Sequence, residues 1–187
     1  MSSIVSPWVA RWAPSAPQGK VLDLACGMGR HAHLLAALGH PVLAVDRDAS
    51  ALIHAAGDAI VTVQVDLEGD DDGAAAQRAL LLKPQQFAAI VVTNYLHRPL
   101  MGALLASLAE DGMLIYETFA VGNEAYGKPS NPAFLLQPDE LLRMVQASGL
   151  RVLAFEQGYV NTPKPAVVQR ICAIAPAFVL ANVKLDV

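Results

Sequence analysis

An apolar run, Val21-Leu22-Asp23-Leu24-Ala25, passes directly into Cys26-Gly27-Met28-Gly29 and then into a stretch with helical spacing from about Arg30. A buried strand that ends in a glycine turn and restarts as a helix is the opening unit of an open α/β sheet. Glycines at that point permit a tight reversal and let a ligand approach the backbone beside the positive end of a helix. The helix carries Leu34, Leu35 and Leu38 on one stripe and stops at Gly39, with Pro41 just beyond.

The same alternation continues along the chain. Strands are expected at Lys20–Ala25, Pro41–Asp46, Ile60–Val65, Phe87–Thr93, Gly112–Thr118, Arg151–Glu156 and Ala166–Ile174. Helices are expected at Asp48–Ala56, Ala74–Leu82, Pro99–Leu108 and Pro138–Ser148, the last with Asp139 and Glu140 in its first turn. Several strands are nearly continuous Val, Ile, Leu and Ala runs, as required when helices cover both faces. The expected fold class is therefore α/β, a doubly wound and mainly parallel sheet. With 187 residues, 54% apolar and 16% charged, the chain can bury a substantial core as one domain. Within it, residues 1–19, with Trp8 and Trp12, are expected to cap the sheet; residues 20–175 form the core, and 176–187 a tail without an assigned role.

Composition removes several function classes. The most apolar stretches, near Leu100–Ala109 and Ile171–Ala181, fall well short of the ~20 residues that span a bilayer. No cationic segment followed by an apolar one opens the chain, so a cytoplasmic location is expected. The net charge is −4, the run Asp70-Asp71-Asp72 is acidic, and the 13 Lys and Arg are scattered. Nucleic acid is therefore a disfavoured partner. Cys26 and Cys172 are far apart, and His31 and His33 face different ways on a helix, so neither a metal site nor a disulfide is expected.

Acidic residues sharpen the glycine turn. Asp46 ends the second strand about 20 residues beyond the first glycine, where a carboxylate can accept from both ribose hydroxyls of a nucleoside. Such a carboxylate would face the ligand, and its removal should leave the fold intact. Asp66 ends the third strand, suiting the exocyclic amine of an adenine, with the Leu67 amide free for a ring nitrogen. Gly27-Met28-Gly29-Arg30-His31-Ala32 also fits the dinucleotide pattern G-x-G-x-x-A. Against NAD stand Asp23, a carboxylate that a pyrophosphate would avoid and a sulfonium or ammonium would welcome, the delayed glycines, and the lack of a second mononucleotide half after the seventh strand.

The string VLDLACGMGR, followed by VLAVDRD and VDLEG, resembles the first three motifs of class I S-adenosylmethionine (SAM)-dependent methyltransferases. Within that superfamily the chain is most similar to the small tellurite-resistance-like bacterial domains. The similarity runs on through Val92-Thr93-Asn94-Tyr95-Leu96-His97-Arg98-Pro99-Leu100, Gly112–Phe119 and Asn131–Leu142, so it covers roughly residues 18–175. The resemblance implies strand order 3-2-1-4-5-7-6 with the last strand antiparallel. It implies SAM as cofactor, with S-adenosylhomocysteine (SAH) as product. The cofactor site would comprise Asp23, Ala25, Cys26, Gly27 and Gly29 around the methionine part, Asp46 and Arg47 at the ribose, Asp66 and Leu67 at the adenine, and Asn94 and Tyr95 beside them. The family usually has glycine where this chain has Ala25, so the backbone there should avoid a positive φ or the loop should shift.

The acceptor side is read from the ends of the fourth and fifth strands, where His97 and Glu117 are candidate catalytic groups. Tyr126 is a third. It belongs to Phe119–Gln137, a connection longer than compact domains usually tolerate without a function, which also holds Glu124, Lys128 and Asn131. This segment is expected to fold over the reacting centre. Each candidate has a structural alternative: Asn94 as a helix cap, Tyr95 as wall packing, His97 as a helix-start residue, Glu117 as a solvated rim, Cys26 as a buried filler. Three functions stand: methyl transfer to a small-molecule acceptor, NAD(P)-dependent oxidoreduction, and SAM binding without catalysis.

Overall fold

The computed structural model of the chain describes residues 4–69, 71–183 and 185. Met1, Ser2 and Ser3 of the expected cap, Asp70 of the acidic run, and Lys184, Asp186 and Val187 of the tail lie outside them. The strands are β1 Val21–Leu24, β2 Val42–Asp46, β3 Ile60–Gln64, β4 Phe87–Thr93, β5 Leu108–Phe119, β6 Arg151–Val160 and β7 Ala166–Ile174. They form one seven-stranded sheet in the order β3-β2-β1-β4-β5-β7-β6, with β7 antiparallel to both β5 and β6. Helices α1 Pro7–Trp12, α2 Arg30–Ala37, α3 Ala49–Ala55, α4 Asp72–Leu81, α5 Met101–Ala106 and α6 Glu140–Ala147 flank it.

Period-two alternation within buried strands divides the core into two layers. Leu22, Leu24, Val45, Ile90, Val92, Leu114 and Tyr116 point to one face and meet Leu81, Leu104, Leu141 and Val145. Val21, Ala44, Val91, Met113, Ile115 and Cys172 point to the other and meet Leu35, Leu52, Trp8 and Trp12. Helix α5 is shorter than its apolar pattern suggests, because Pro99 lies in a 3-10 turn, Arg98–Leu100, and β5 begins already at Leu108. Similarly, β6 runs on to Val160, since its pairing with β7 continues past Glu156 as far as Val160↔Ala166.

The N-terminal helix is attached by its aromatic residues. Trp8 donates through Nε1 to the Ile171 carbonyl at 3.2 Å and packs edge-on against Trp12. Its cap residue, Ser6, is buried: the hydroxyl accepts from the Trp8 amide, and the Ser6 amide donates to His31 Nε2 at 3.1 Å. Because Nε2 accepts, the ring proton sits on Nδ1, directed at Thr93 Oγ1 at 3.4 Å. His31 is thus the buried, hydrogen-bonded histidine that its place on the apolar stripe suggests.

Burial also governs two ionisable groups beneath the glycine turn. Burial, helped by the nearby Arg30 charge, pushes His31 down from 6.5 to about 3. Asp23 is 1% exposed, and burial pushes its carboxyl up from 3.8 to about 7. The Ala32 amide and the Arg30 charge offset part of that rise and Asp46 adds to it, but no donor closes to full hydrogen-bond geometry. Between about pH 3 and 6.5 the unfolded chain binds more protons at His31 than the folded one, so this contribution to stability increases with pH. Between 3.8 and about 7 the folded chain holds more protons at Asp23, and that contribution decreases with pH. Urea unfolding across this range should therefore give His31→Gln a stability that falls more steeply with pH than the parent's. Asp23→Asn should rise more steeply and should be the more stable protein above pH 7. Three parallel curves would contradict these environments.

Candidate functional site

The carboxyl ends of the parallel strands open into a large cavity of about 1340 Å3. That exceeds the ~300–1,000 Å3 usual for one small-molecule site. Its floor is the turn after β1, where Ala25 and Gly27 have φ of 54° in both cases. Ala25 therefore takes the left-handed conformation that the sequence reading expected it to avoid. The backbone path is the same as a glycine would follow, and the methyl group bears the strain. At Gly27 a Cβ would meet no atom within 4 Å, so the peptide there is open to the cavity. Its amide donates to Asp46 Oδ2 at 2.7 Å, and Asp46 Oδ1 accepts from the Asp48 amide at 3.0 Å. One carboxylate thus fixes both the β1 turn and the β2 turn, and Asp46 is more than a ligand-facing group.

Along the β3–β2 side the wall comprises Asp46, Arg47, Val65, Asp66, Leu67 and Glu68. Asp66 Oδ1 accepts from the Glu68 amide at 2.9 Å, which orders the turn after β3. Tyr95 lies on the same wall. Burial first, then the charges of Glu68 and Asp66, keep its phenol protonated. Asn94, also lining the cavity, has φ of 56°, and its amide donates to the Glu117 carbonyl. Cys26 lines the cavity as a thiol, since burial and the Asp23 and Asp46 charges push its acidity well below that of a reactive cysteine.

The β5–β7 side is assembled by strand register. Glu117 lies opposite Arg170, and Arg170 opposite Glu156 on the next strand. Arg170 Nη1 is 3.4 Å from Glu117 Oε2, and Arg170 Nε is 2.9 Å from Glu156 Oε2, with the guanidinium over the Trp8 ring. Glu117 Oε1 accepts from the Ser6 hydroxyl at 2.9 Å. Ser6 and Pro7 therefore reach the cavity wall from the N-terminal segment.

Four residues expected in the site fall outside its lining. Asp23 is on β1 with its carboxylate buried below the turn, because odd positions of that strand face α2. Gly29 serves packing: a Cβ would sit 2.6 Å from Ala55 Cα, so its role is the close approach of α2 to α3. His97 immediately precedes the 3-10 turn at Arg98, as a helix-start residue would, and does not line the cavity. Tyr126 is half exposed and packs on Tyr159, with ring centroids 5.1 Å apart.

The long connection after β5 does reach the site, through Lys128, Pro129, Ser130, Asn131 and Phe134. Its course is fixed by side chains. Asn123 Nδ2 donates to the Pro129 carbonyl, and Asn123 Oδ1 accepts from the Val167 amide. Arg98 donates to the carbonyls of Ala133 and Leu135 and pairs with Glu140 at 2.6 Å. Sequence reasoning missed Ser6, Thr93, Glu68, Lys164 and Arg170. Only the last carried a usable signal, a lone cation inside an apolar strand. Among the described residues no cluster of metal-ligating side chains occurs, and no helix is long and apolar enough to cross a membrane.

Residues 11–66 match the family model of the tellurite resistance protein TehB. No curated protein matches the chain in sequence. Among solved structures, TehB from Haemophilus influenzae superposes with a TM-score of 0.72 at 17% identity, covering 94% of this chain and 63% of that one. The chain thus spans less than two thirds of that TehB. A SAM-dependent methyltransferase from Mesorhizobium loti gives 0.67 at 15% identity, over 89% of this chain and 96% of that one. The 1,6-didemethyltoxoflavin-N1-methyltransferase of Burkholderia thailandensis, solved with bound 1,6-didemethyltoxoflavin and SAH, gives 0.61 at 19% identity, over 90% and 76%. This chain therefore has the fold of the class I SAM-dependent methyltransferases and, over residues 11–66, the sequence pattern of TehB.

Proposed function

We propose that the chain transfers a methyl group from SAM to a small-molecule acceptor. The observation that carries this reading is the convergence, in one cavity at the carboxyl edge of the sheet, of the open Gly27 turn with Asp46 and Asp66 from the ends of two adjacent strands. The residues fit the cofactor. Asp46 keeps lone pairs for the ribose hydroxyls beyond its two backbone bonds. Asp66 and the Leu67 amide suit the adenine edge, and Leu67, Val65 and Tyr95 supply apolar walls for its ring. The peptides of Ala25–Gly27 can lie close to the methionine part, with Cys26 as a small neighbour. Asn94, held in a left-handed conformation that costs about 1–3 kcal/mol, fits a place where backbone strain serves binding geometry.

When bound, SAM supplies a methyl group already activated on a sulfonium. The protein's task is then to align an acceptor and exclude water rather than to generate a strong nucleophile. Glu117 is the one proposed catalytic group on the cavity wall, and Ser6 and Arg170 engage its oxygens. It is placed to orient an acceptor rather than to act as an unencumbered base. His97 and Tyr126 do not line the cavity.

Thermal unfolding with SAH, SAM, NAD and NADP in parallel tests the cofactor. Ligand at ~100 times its dissociation constant should add about 2.7 kcal/mol for SAH and SAM and nothing for the nicotinamides. Stabilisation by NAD without any by SAM would overturn the proposal. Asp46→Ala should weaken SAH binding by roughly 1.5–3 kcal/mol, the scale of a charge-assisted hydrogen bond. Because the Gly27 and Asp48 amides lose their acceptor, it should also cost about 1–3 kcal/mol of stability. A folded variant with unchanged SAH affinity by calorimetry would remove Asp46 from the ribose site.

A further inference from the structure

The cavity is biased in charge along the sheet. Three carboxylates, Asp46, Asp66 and Glu68, outnumber Arg47 at the β3–β2 end, with Arg30 at the start of α2 also in the lining. Lys128, Lys164 and Arg170 outnumber Glu117 at the end formed by β5, its connection and the β6–β7 hairpin. From β2 to β5 the sheet steps across β1 and β4, roughly 14 Å at about 4.8 Å per strand. One small ligand need not touch both ends. The third cation at the far end, Arg170, is already matched by Glu117 and Glu156. The lysines are not matched in this way. Among the described residues neither forms an ion pair with a carboxylate, and Lys164 has its ammonium 5.6 Å from the centroid of the Phe119 ring.

The lysines share their end of the cavity with an apolar surface, Phe119, Phe134, Val160, Ala166 and Val168, and with the polar Ser130, Asn131 and Thr162. An inorganic oxyanion would use the charges and leave that surface in contact with water. An apolar amine would use the surface and meet two like charges. A ligand that satisfies both has an apolar or aromatic body and a carboxylate. Binding such an anion here also leaves the acidic end free for a cationic sulfonium ligand, and the cavity is large enough for both.

We infer that the acceptor half of the cavity selects a small organic acid, with Lys128 and Lys164 as its specificity-determining residues. This rests on the methyltransferase reading for the word acceptor, but the binding preference can be measured separately. SAH binding is established first by calorimetry; its absence would defeat the proposed cofactor and leave the preference of the far end to be read without SAH.

The full chain, with and without saturating SAH, is then titrated by ligand-observed NMR with benzoate, phenylacetate and hexanoate. The matched amides, the matched amines, sulfate and tellurite serve as the other arms. The acids should bind at least about ten-fold more tightly than their amides, and the difference should shrink at high salt. The double variant Lys128→Ala, Lys164→Ala should lose about ten-fold for the acids while SAH affinity holds. Lys164→Glu alone should lose as much. Equal binding of amides or amines overturns the inference, as does binding by sulfate or tellurite alone, absence of binding by any acid, or undiminished acid binding in a folded double variant. The comparison of acids with amides on the unaltered protein decides the matter even if the variants fail to fold.

Discussion

The Asp46 carboxylate joins the two turns on which the crevice is built. One oxygen holds the Gly27 amide after β1 and the other holds the Asp48 amide after β2. Parallel strands end side by side, but nothing in the ladder itself dictates how the chain leaves each of them. Here the exits are coupled through one charged acceptor at hydrogen-bond distance from both, so a ligand meeting the Gly27 peptide also meets a carboxylate held in place. The same arrangement explains why the turn tolerates left-handed backbone at Ala25. The strain is small beside the hydrogen bonds and strand pairing that over-determine the loop.

A second set of interactions brings distant segments to the same edge. Ser6, from the N-terminal helix, reaches His31 through its amide and Glu117 through its hydroxyl. The histidine works because it is neutral; burial that would penalise a charged ring favours the form that can accept the Ser6 amide and donate to Thr93. The connection after β5 is treated similarly. Asn123 holds it to β7 and Arg98 holds it to α6, with each polar group pairing with backbone that the irregular path would otherwise leave unsatisfied. The lining contributed by Lys128 to Phe134 is thus part of a fixed wall.

Charge at the site follows from these placements. Asp46, Asp66 and Glu68 belong to the ends of β2 and β3, beside Arg47. Lys128 and Lys164 belong to loops beyond β5 and β6, beside the Glu117–Arg170 pair, so the order of strands sets an excess of acid at one end and of base at the other. Asp23 is the exception that burial creates. Its charge is suppressed beneath the floor, and the acidity of the β2–β3 end comes from its neighbours.

Periodicity and turn chemistry already determined the α/β class, the number of strands and most of their limits, because buried strands and glycine-ended helices are local in sequence. The resemblance of the glycine turn and its trailing acids to a known family gave the strand order, and nine of the expected cofactor and acceptor positions, Ala25, Gly27, Asp46, Arg47, Asp66, Leu67, Asn94, Tyr95 and Glu117, line the cavity along with Cys26. Where the reading failed, the deciding contact was remote. Gly29 is small because Ala55 comes within 2.6 Å of where its Cβ would lie, and Tyr126 turns outward onto Tyr159. Arg170 joins Glu117 only through antiparallel register, and Ser6 enters the wall only because two tryptophans dock its helix on the sheet. A side chain's type and spacing are written in the chain, whereas its direction is fixed by partners far away in sequence, and that direction only the tertiary structure decides.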